Sequence, residues 1–204
     1  MRISTLSLIV LAGLMVIFSS CKKDEDPVKE TETFTDSRDG KVYKYVKIGD
    51  QTWMAENFAY KPSDGFWAYN NDESKVSTYG YLYTIETAIS IAPDGWHMPS
   101  LDEWNKLIDY LGGTAQAGNK MKEAGGAYWN SEDMGNKNIT NSSGFSALPG
   151  GYWEEAFDEF NYLGLYGFWW VETGAAVDLT GNFEEIEIQY GGGSGGYSVR
   201  YIKD

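Results

Sequence analysis

The chain has almost none of the residues on which thiol and imidazole chemistry depends. It contains 1 cysteine, Cys21, and 1 histidine, His97, in 204 residues. Since Cys21 lies in the N-terminal segment, the rest of the chain has no thiol for an intramolecular disulfide or a cysteine-ligated metal. A single histidine cannot make a histidine-based metal site, and a nucleophilic triad would need a serine placed by the fold. We therefore expect no catalytic machinery and a stability that comes from a hydrophobic core.

Positive charge is also scarce. Lys and Arg number 16 against 30 Asp and Glu, which gives a formal net charge of -14. This surplus disfavours attraction to nucleic acid phosphates or to an anionic membrane surface. We expect no nucleic acid partner, whereas neutral and cationic partners remain open.

A hydrophobic run long enough to span a membrane is absent near the N-terminus. Arg2 supplies a positive charge, and residues 6–18 form an apolar run that only Ser7 and Gly13 interrupt. This run is shorter than the roughly 20 apolar residues that a hydrocarbon core requires. The pattern predicts a signal peptide over residues 1–20, not a permanent transmembrane anchor.

Two small residues, Ser19 and Ser20, stand directly before Cys21. Residues 17–21 resemble the bacterial lipobox, in which a peptidase cleaves before the cysteine and acyl chains are attached to it. The resemblance implies lipidation of Cys21, and several acyl chains at about 0.8 kcal/mol per buried methylene would hold the protein to a leaflet durably. A free thiol is the alternative.

Residues 21–34 are predicted to form a flexible acidic tether, because few of them are able to join a core. Lys22 and Lys23 are followed by Asp24, Glu25 and Asp26. This order resembles the export signal that sends lipoproteins of the Bacteroidota to the outer face of the outer membrane. The alternative is a charged linker that carries no export signal. We expect an outer membrane lipoprotein that faces the cell exterior.

Residues 35–204 have the size that one domain commonly fills. The 24 Gly, 8 Trp and 15 Tyr suit turn-rich β structure better than a helical bundle. Residues 41–49 and 51–55 are predicted to pair as a hairpin that turns at Gly49 and Asp50 and carries Trp53 and Ala55 on one face. Further strands are predicted at residues 145–148, 168–171, 185–190 and 197–202.

Helices are predicted at residues 83–92, 100–111 and 115–124. The second has the clearest start, because Ser100 and Glu103 form a capping box directly after Pro99. We expect the imidazole of His97 to bond a backbone carbonyl and to fix the turn before this helix. Helices followed by strands indicate an α+β domain with antiparallel sheets and two or three short helices.

Five short motifs occur in an order that composition does not explain. They are KIGDQTWMAEN at 47–57, GYLY at 80–83, APDGWHMPS at 92–100 with Glu103 and Trp104, GFSALPGG at 144–151, and SVR at 198–200. Together they resemble the Fibrobacter succinogenes major paralogous domain. The resemblance implies a secreted or lipoprotein module related to the C-type lectin-like fold, and it leaves the biochemical role open. Many members carry a cysteine after Val-Arg where this chain has Tyr201, so a disulfide that the family would allow is missing.

Four aromatic residues set among glycines are the candidate ligand-binding residues: Tyr152, Trp153, Trp169 and Trp170. Lectin-like folds present their variable face in this segment, sugar rings stack on indoles, and aromatic anchors dominate protein interfaces. Because Trp169 and Trp170 are adjacent on a predicted strand, one should point into the core and only the other should reach a ligand. Core packing is the alternative for all four.

Two groups of acidic and amide side chains are weaker candidates. The first, a weak calcium site, comprises Asn70, Asn71, Asp72 and Glu73, whose spacing matches neither an EF-hand loop nor the short signatures of calcium-dependent lectins. The second, a carboxylate pair of the glycosidase kind, comprises Glu154, Glu155, Asp158 and Glu159. A polar loop and a solvated face are the alternatives, and we expect no cofactor.

The sequence therefore leads to three hypotheses in order. The first is a non-catalytic lectin-like domain that binds a glycan or a protein at the cell exterior. The second is a structural or adhesion component of the envelope with no small ligand. The third, an enzyme that acts on envelope polymers, comes last because nothing in the sequence positions one acid opposite another.

Overall fold

The computed structural model describes residues 31–125, 127–130, 138–190 and 194–204. The predicted signal peptide, Cys21 and the first part of the predicted tether lie outside the described residues. The strands are β1 (Glu32–Thr35), β2 (Val42–Ile48), β3 (Gln51–Met54), β4 (Phe66–Trp67), β5 (Leu82–Tyr83), β6 (Trp96–His97), β7 (Tyr152–Glu154), β8 (Glu159–Asn161), β9 (Tyr166–Trp170), β10 (Ala176–Thr180), β11 (Ile186–Gln189), β12 (Gly195–Gly196) and β13 (Ile202–Lys203). The α-helices are α1 (Val76–Tyr79), α2 (Ile85–Ser90), α3 (Leu101–Tyr110) and α4 (Thr114–Met121), and short 3-10 turns at Tyr69–Asn71 and Glu73–Lys75 precede α1.

The largest sheet joins the two ends of the described chain. Its strand order is β1-β2-β3-β13-β6, with each neighbouring pair antiparallel. The predicted hairpin is confirmed as β2 and β3, with Val46 opposite Trp53. Ile202 then pairs with both Trp53 and His97, so the last strand closes the sheet. Strand β1 begins at Glu32 and therefore crosses the predicted boundary between tether and domain.

A second antiparallel sheet, β11-β10-β9, separates the core from a polar and aromatic outer face. Val177 and Leu179 of β10 are fully buried in the main hydrophobic core. Asp178, which lies between them, is on the other face with its register partners Phe168 and Glu187. The remaining strands form two smaller antiparallel sheets, β12-β7-β8 and β4-β5. The α+β class with antiparallel sheets and short helices is thus confirmed.

Helices α2, α3 and α4 follow the three predicted patterns with shorter bounds, whereas α1 was not predicted. In α3 the Ser100 hydroxyl accepts from the Glu103 amide and the Glu103 carboxylate accepts from the Ser100 amide, so the capping box is confirmed. The helix buries Trp104, Leu107 and Ile108 against the core. Helix α4 approaches the residues before β11 so closely that a Cβ on Gly118 would lie 2.3 Å from the carbonyl oxygen of Glu184.

The strand predicted at residues 145–148 is wrong. The structure has only an isolated bridge there, between Ala147 and Lys122. The reason is that the carbonyls of Phe145 and Ser146 accept hydrogen bonds from the buried guanidinium of Arg200 instead of from a neighbouring strand. These carbonyls therefore support a buried cation, which is a tertiary role that alternation along the sequence does not reveal.

Candidate functional site

Trp169, one of the four candidate aromatic residues, belongs to the core. Its side chain has no exposed area, and its indole Nε1 donates to Asn57 Oδ1 at 3.0 Å. Its ring also packs edge-on against Phe145. The prediction that Trp169 contacts a ligand is therefore wrong, because core side chains and a buried amide cover its side chain completely.

Trp170 is also buried, contrary to the expectation that one of the two neighbours would point outward. It is 1% exposed, its Nε1 donates to the carbonyl of Tyr83 at 2.6 Å, and its ring lies 4.4 Å from that of Tyr197. Strand β9 is covered on both faces near its end, since Trp169 faces the main core and Trp170 faces other chain segments. Trp170 nevertheless forms part of the wall of a cavity.

This cavity, which we call the tryptophan cavity, has a volume of about 430 Å³. Its lining comprises Trp67, Thr84, Ile85, Glu86, Trp153, Glu155, Trp170, Ser194 and Gly195. Trp67 and Trp153 stack with their ring centroids 3.7 Å apart and their planes 18° apart. The Trp153 Nε1 donates to Asp158 Oδ1 at 3.1 Å, which fixes the orientation of that indole. The structure thus brings together two of the predicted aromatic residues, Trp153 and Trp170, with Trp67, which the sequence analysis did not single out.

The chemistry of the tryptophan cavity combines aromatic walls with acidic and hydroxyl groups. Glu86 and Glu155 contribute carboxylates, and Thr84 and Ser194 contribute hydroxyls. No lysine or arginine is among its described lining residues. Indole surfaces pair with the apolar face of a sugar ring, and carboxylate oxygens accept from its hydroxyl groups. The arrangement suits a neutral polyol better than an anion.

Tyr152 lies apart from this cavity, on what we call the outer tyrosine face. This face consists of the half-buried rings of Tyr152, Tyr166, Phe168 and Tyr197, with Tyr162 at its margin. Tyr166 stacks on Phe168 at 5.7 Å and 13°, and Phe168 stacks on Tyr197 at 5.4 Å and 24°. Since these rings cover one another's faces, the surface presents their edges and the tyrosine hydroxyls.

Asp178 lies beneath the outer tyrosine face. Its side chain accepts from Gln189 Nε2 at 3.1 Å, and the residue is 4% exposed. Burial raises the pKa of Asp178 to about 6, the bond from Gln189 opposes that shift, and the nearby carboxylate of Glu187 adds to it. The carboxyl group is therefore less acidic than an ordinary aspartate.

A second cavity, the polar cleft, was not found by the sequence analysis. It has a volume of about 650 Å³ and lies between β2, α1 and the residues around Ser146. Its lining includes Lys41, Lys44, Glu56 and Glu123. Three of the five family-like motifs contribute to it, through Asn57, Gly80 and Ser146. The sequence signal for this cleft was the set of family-like motifs. Sequence reasoning could not use it, because only the fold shows that three of these motifs meet at one place.

The base of the polar cleft is held by Arg200, which is completely buried. Its Nε donates to Asn57 Oδ1 at 2.7 Å, its Nη1 to the carbonyls of Met54 and Phe145 at 3.0 and 2.7 Å, and its Nη2 to that of Ser146 at 2.9 Å. Burial lowers the pKa of Arg200 to about 9, and the charge of Glu56 opposes the shift. The guanidinium remains charged at neutral pH and ties three chain segments together.

His97 has different partners from those predicted. Its Nδ1 lies 2.7 Å from Asp204 Oδ1 and its Nε2 lies 2.9 Å from Glu103 Oε1. The prediction of a backbone carbonyl partner is wrong, because the closing strand β13 and the capping-box glutamate place carboxylates on both sides of the ring. His97 thus links α3 to the end of the largest sheet.

In the predicted calcium site, Asp72 and Glu73 are bound by other side chains of the protein. Asp72 Oδ1 accepts from the amide and hydroxyl of Ser74, while Glu73 accepts from Lys61 and Tyr81. In the acidic cluster, Glu154 lies opposite Glu159 across the β7–β8 hairpin. Within the described ranges, no group of three or more His, Cys, Asp or Glu side chains is arranged to hold a metal ion.

None of the helices in the described part of the chain combines the length and the apolar character that crossing a bilayer requires. A comparison with protein families finds a model described as the Fibrobacter succinogenes major domain, which matches residues 46–203. This range contains all five motifs of the sequence analysis. No curated protein and no solved structure matches the chain.

Proposed function

Because the chain belongs to the Fibrobacter succinogenes major domain family, we propose that it is a non-catalytic binding module with a C-type lectin-like fold. Lipid on Cys21 holds it at the outer membrane, facing the cell exterior. The tryptophan cavity binds one or two sugar units of a neutral glycan.

The observation that carries this proposal is the meeting of Trp67, Trp153 and Trp170 in one cavity. These tryptophans come from β4, β7 and β9, and β4 is far in the sequence from the other two strands. A volume of about 430 Å³ lies in the usual range for small-ligand pockets, about 300–1,000 Å³. Aromatic walls with a few polar groups are the usual composition of such sites.

The charge of the lining supports a neutral ligand. Glu86 and Glu155 would repel the carboxylate or sulfate of an acidic glycan, and no cation among the described lining residues offsets them. The hydroxyl groups of a neutral sugar instead donate to these carboxylates. The site therefore favours neutral sugars in two ways, because its carboxylates repel acidic sugars and accept hydrogen bonds from neutral ones.

A glycan array tests the proposal with the full-length protein in detergent. We expect neutral oligosaccharides to bind in preference to uronate-containing or sulfated ones. Titration with the strongest neutral oligosaccharide should show binding about tenfold weaker for Glu155→Gln, which removes a charge-assisted acceptor. Trp67→Leu should weaken binding further, because it removes an aromatic wall.

The control is Glu159→Gln, which changes an exposed glutamate of the same hairpin outside the cavity lining. It should leave the affinity unchanged, and circular dichroism should show all variants folded. If no neutral oligosaccharide binds, or if Glu155→Gln and Trp67→Leu bind as tightly as the parent protein, the cavity is not a glycan site.

Protein contact is a second candidate function, favoured by the outer tyrosine face. Tyrosine is enriched at protein interfaces, and this face presents ring edges and hydroxyls to the solvent instead of open aromatic planes. Tyr162 is 50% exposed at its margin. We expect Tyr162→Ser with Tyr166→Ser to abolish co-purification of a specific envelope protein while leaving glycan binding intact. Unchanged co-purification would remove this candidate.

The anchor has its own test, since Cys21 lies outside the described residues. Cys21→Ser should release the protein from membranes into the soluble fraction, because no acyl chain can then be attached. Ser20→Ala is the matched control and should stay membrane-bound. Membrane retention of Cys21→Ser would contradict lipidation.

A further inference from the structure

The polar cleft has a preformed base. Arg200 binds the carbonyls of Phe145 and Ser146, and Asn57 accepts from Arg200 while its Nδ2 donates to the carbonyl of Tyr79 at 2.8 Å. These bonds connect the segment after β3, the end of α1 and the loop before β7. A site built on such a network keeps its shape before a ligand arrives, which lowers the entropic cost of binding.

One side of the polar cleft carries a carboxylate oxygen with no partner. The amide of Glu123 donates to the carbonyl of Ala147 at 2.9 Å, which fixes the residue beside Ser146. Its side-chain Oε2 is buried and has no hydrogen-bond partner in the described structure. Burial raises the pKa of Glu123. Buried polar atoms are normally satisfied, so a glutamate that lines a cleft and has an oxygen without a partner is a candidate acceptor for a donor from a ligand.

Another side of the polar cleft carries two ammonium groups. Lys41, directly before β2, and Val42 and Lys44, on β2, all line the cleft. Neither lysine forms an ion pair with a described residue, although Lys41 Nζ lies 5.3 Å from the ring centroid of Tyr43. The cleft therefore combines a carboxylate that lacks a donor with two ammonium groups that lack an anion.

We propose that the polar cleft binds a short peptide with a free ammonium group and a free carboxylate. The peptide ammonium pairs with the carboxylate of Glu123, and the peptide carboxylate pairs with Lys41 and Lys44. A cavity of about 650 Å³ has room for a ligand of a few residues. Apolar contacts for small side chains come from Val42, Val76 and Leu148. A neutral sugar would leave the lysines without an anion, and an acidic sugar would bring no cation to Glu123.

Calorimetric titration of the full-length protein in detergent with trialanine tests this inference. We expect saturable binding of trialanine, and binding about tenfold weaker for the N-acetylated peptide and for the C-terminal amide. Glu123→Gln should weaken trialanine binding by a similar factor and should not weaken the binding of the N-acetylated peptide further. Lys41→Gln with Lys44→Gln should show the same relation to the C-terminal amide.

Glu155→Gln in the tryptophan cavity is the matched control and should bind trialanine like the parent protein. The glycan titration, repeated with Glu123→Gln, should be unchanged, so failure of one site is distinguishable from failure of the other. Circular dichroism should show that every variant is folded. The inference is overturned if folded parent protein does not bind trialanine, if the blocked peptides bind as tightly as the free one, or if galacturonate binds the cleft and trialanine does not.

Discussion

The tryptophan cavity and the polar cleft lie on the same domain but differ in the chemistry of their lining residues. The walls of the cavity are stacked indoles with carboxylates and no cation in the described lining, whereas the cleft combines two lysines with two glutamates over a hydrogen-bonded base. The chain as a whole carries a net charge of -14. Local side chains, and not this total, therefore set the ligand chemistry of each site.

The two sites also differ in how the fold supports them. The base of the polar cleft depends on one cation, Arg200, whose partners are mostly backbone carbonyls. The tryptophan cavity depends on ring packing, in which Trp67 supports Trp153 and Tyr197 supports Trp170. Removal of the Arg200 side chain would break all of its hydrogen bonds to the cleft base at once. Removal of one aromatic ring would take away only part of the buried apolar area of the tryptophan cavity.

Removal of the Arg200 charge should have the largest effect. Arg200→Met leaves the carbonyls of Met54 and Phe145 buried without this donor, and each unsatisfied group costs about 1–3 kcal/mol. We expect the free energy of unfolding to fall by about 4 kcal/mol, measured by urea denaturation. The control Lys61→Met removes an exposed pair with Glu73 and should cost less than about 1 kcal/mol. Equal losses for the two variants would contradict the central role of Arg200.

A pair of glycine substitutions should separate the two sites. A Cβ at Gly80, where φ is 73°, would lie 2.5 Å from the carbonyl oxygen of Phe58 beside the polar cleft, and one at Gly195 would lie 2.6 Å from that of Trp153 in the tryptophan cavity. We expect Gly80→Ala to cost about 3 kcal/mol and Gly195→Ala about 2 kcal/mol, since the positive φ adds strain to the overlap.

Ligand titration of the same pair completes the test. Gly80→Ala should lose trialanine binding and keep glycan binding, and Gly195→Ala should show the reverse. A variant that loses both ligands, while circular dichroism shows it folded, would mean that the two sites are not independent.

A change at Asp178, beneath the outer tyrosine face, should affect the stability of the domain in a pH-dependent way. Its folded pKa of about 6 lies above the unfolded value, so the folded state holds the proton more tightly. The contribution of Asp178 to the free energy of unfolding is therefore largest at low pH, and it falls as pH rises from about 4 through 6.

Asp178→Asn should remove that fall and raise the free energy of unfolding at pH 7 by on the order of 2 kcal/mol. At pH 3.5 (about the unfolded pKa) the two proteins should be nearly equal. Glu159→Gln, which changes an exposed glutamate of the β7–β8 hairpin, is the control and should have a much smaller effect. A stability difference that does not vary with pH would exclude titration of Asp178 as the cause.

The smallest expected effect is at His97, which lies outside the lining of both sites. Burial alone would lower its pKa, but hydrogen bonds to Glu103 and Asp204 outweigh burial and raise it. The resulting stability is present below about pH 6 and is lost as pH rises through the folded pKa. Because the ring is half exposed, we expect His97→Gln to remove less than about 1 kcal/mol at pH 5 and nothing at pH 9. Binding of glycan or trialanine that followed this titration would connect His97 to a site.

Local patterns predicted the local structure well. The hairpin at Gly49 and the capping box at Ser100 both depend on residues only a few positions apart, and both are confirmed. The strand predicted around Ala147 failed because its carbonyls bind Arg200, which lies more than fifty residues away. The polar cleft was missed for the same reason, since its walls come from segments spread over most of the domain.

The sequence by itself determined the family, the α+β class, the main turns and helix starts, and the scarcity of thiol, imidazole and positive charge. Only the tertiary structure decided which aromatic side chains border a cavity. Trp169 and Trp170 are neighbours on β9, yet one is enclosed in the core and the other lines a cavity while almost fully buried. The physical reason is that side-chain direction follows from the strand, whereas exposure depends on what distant segments place against each face.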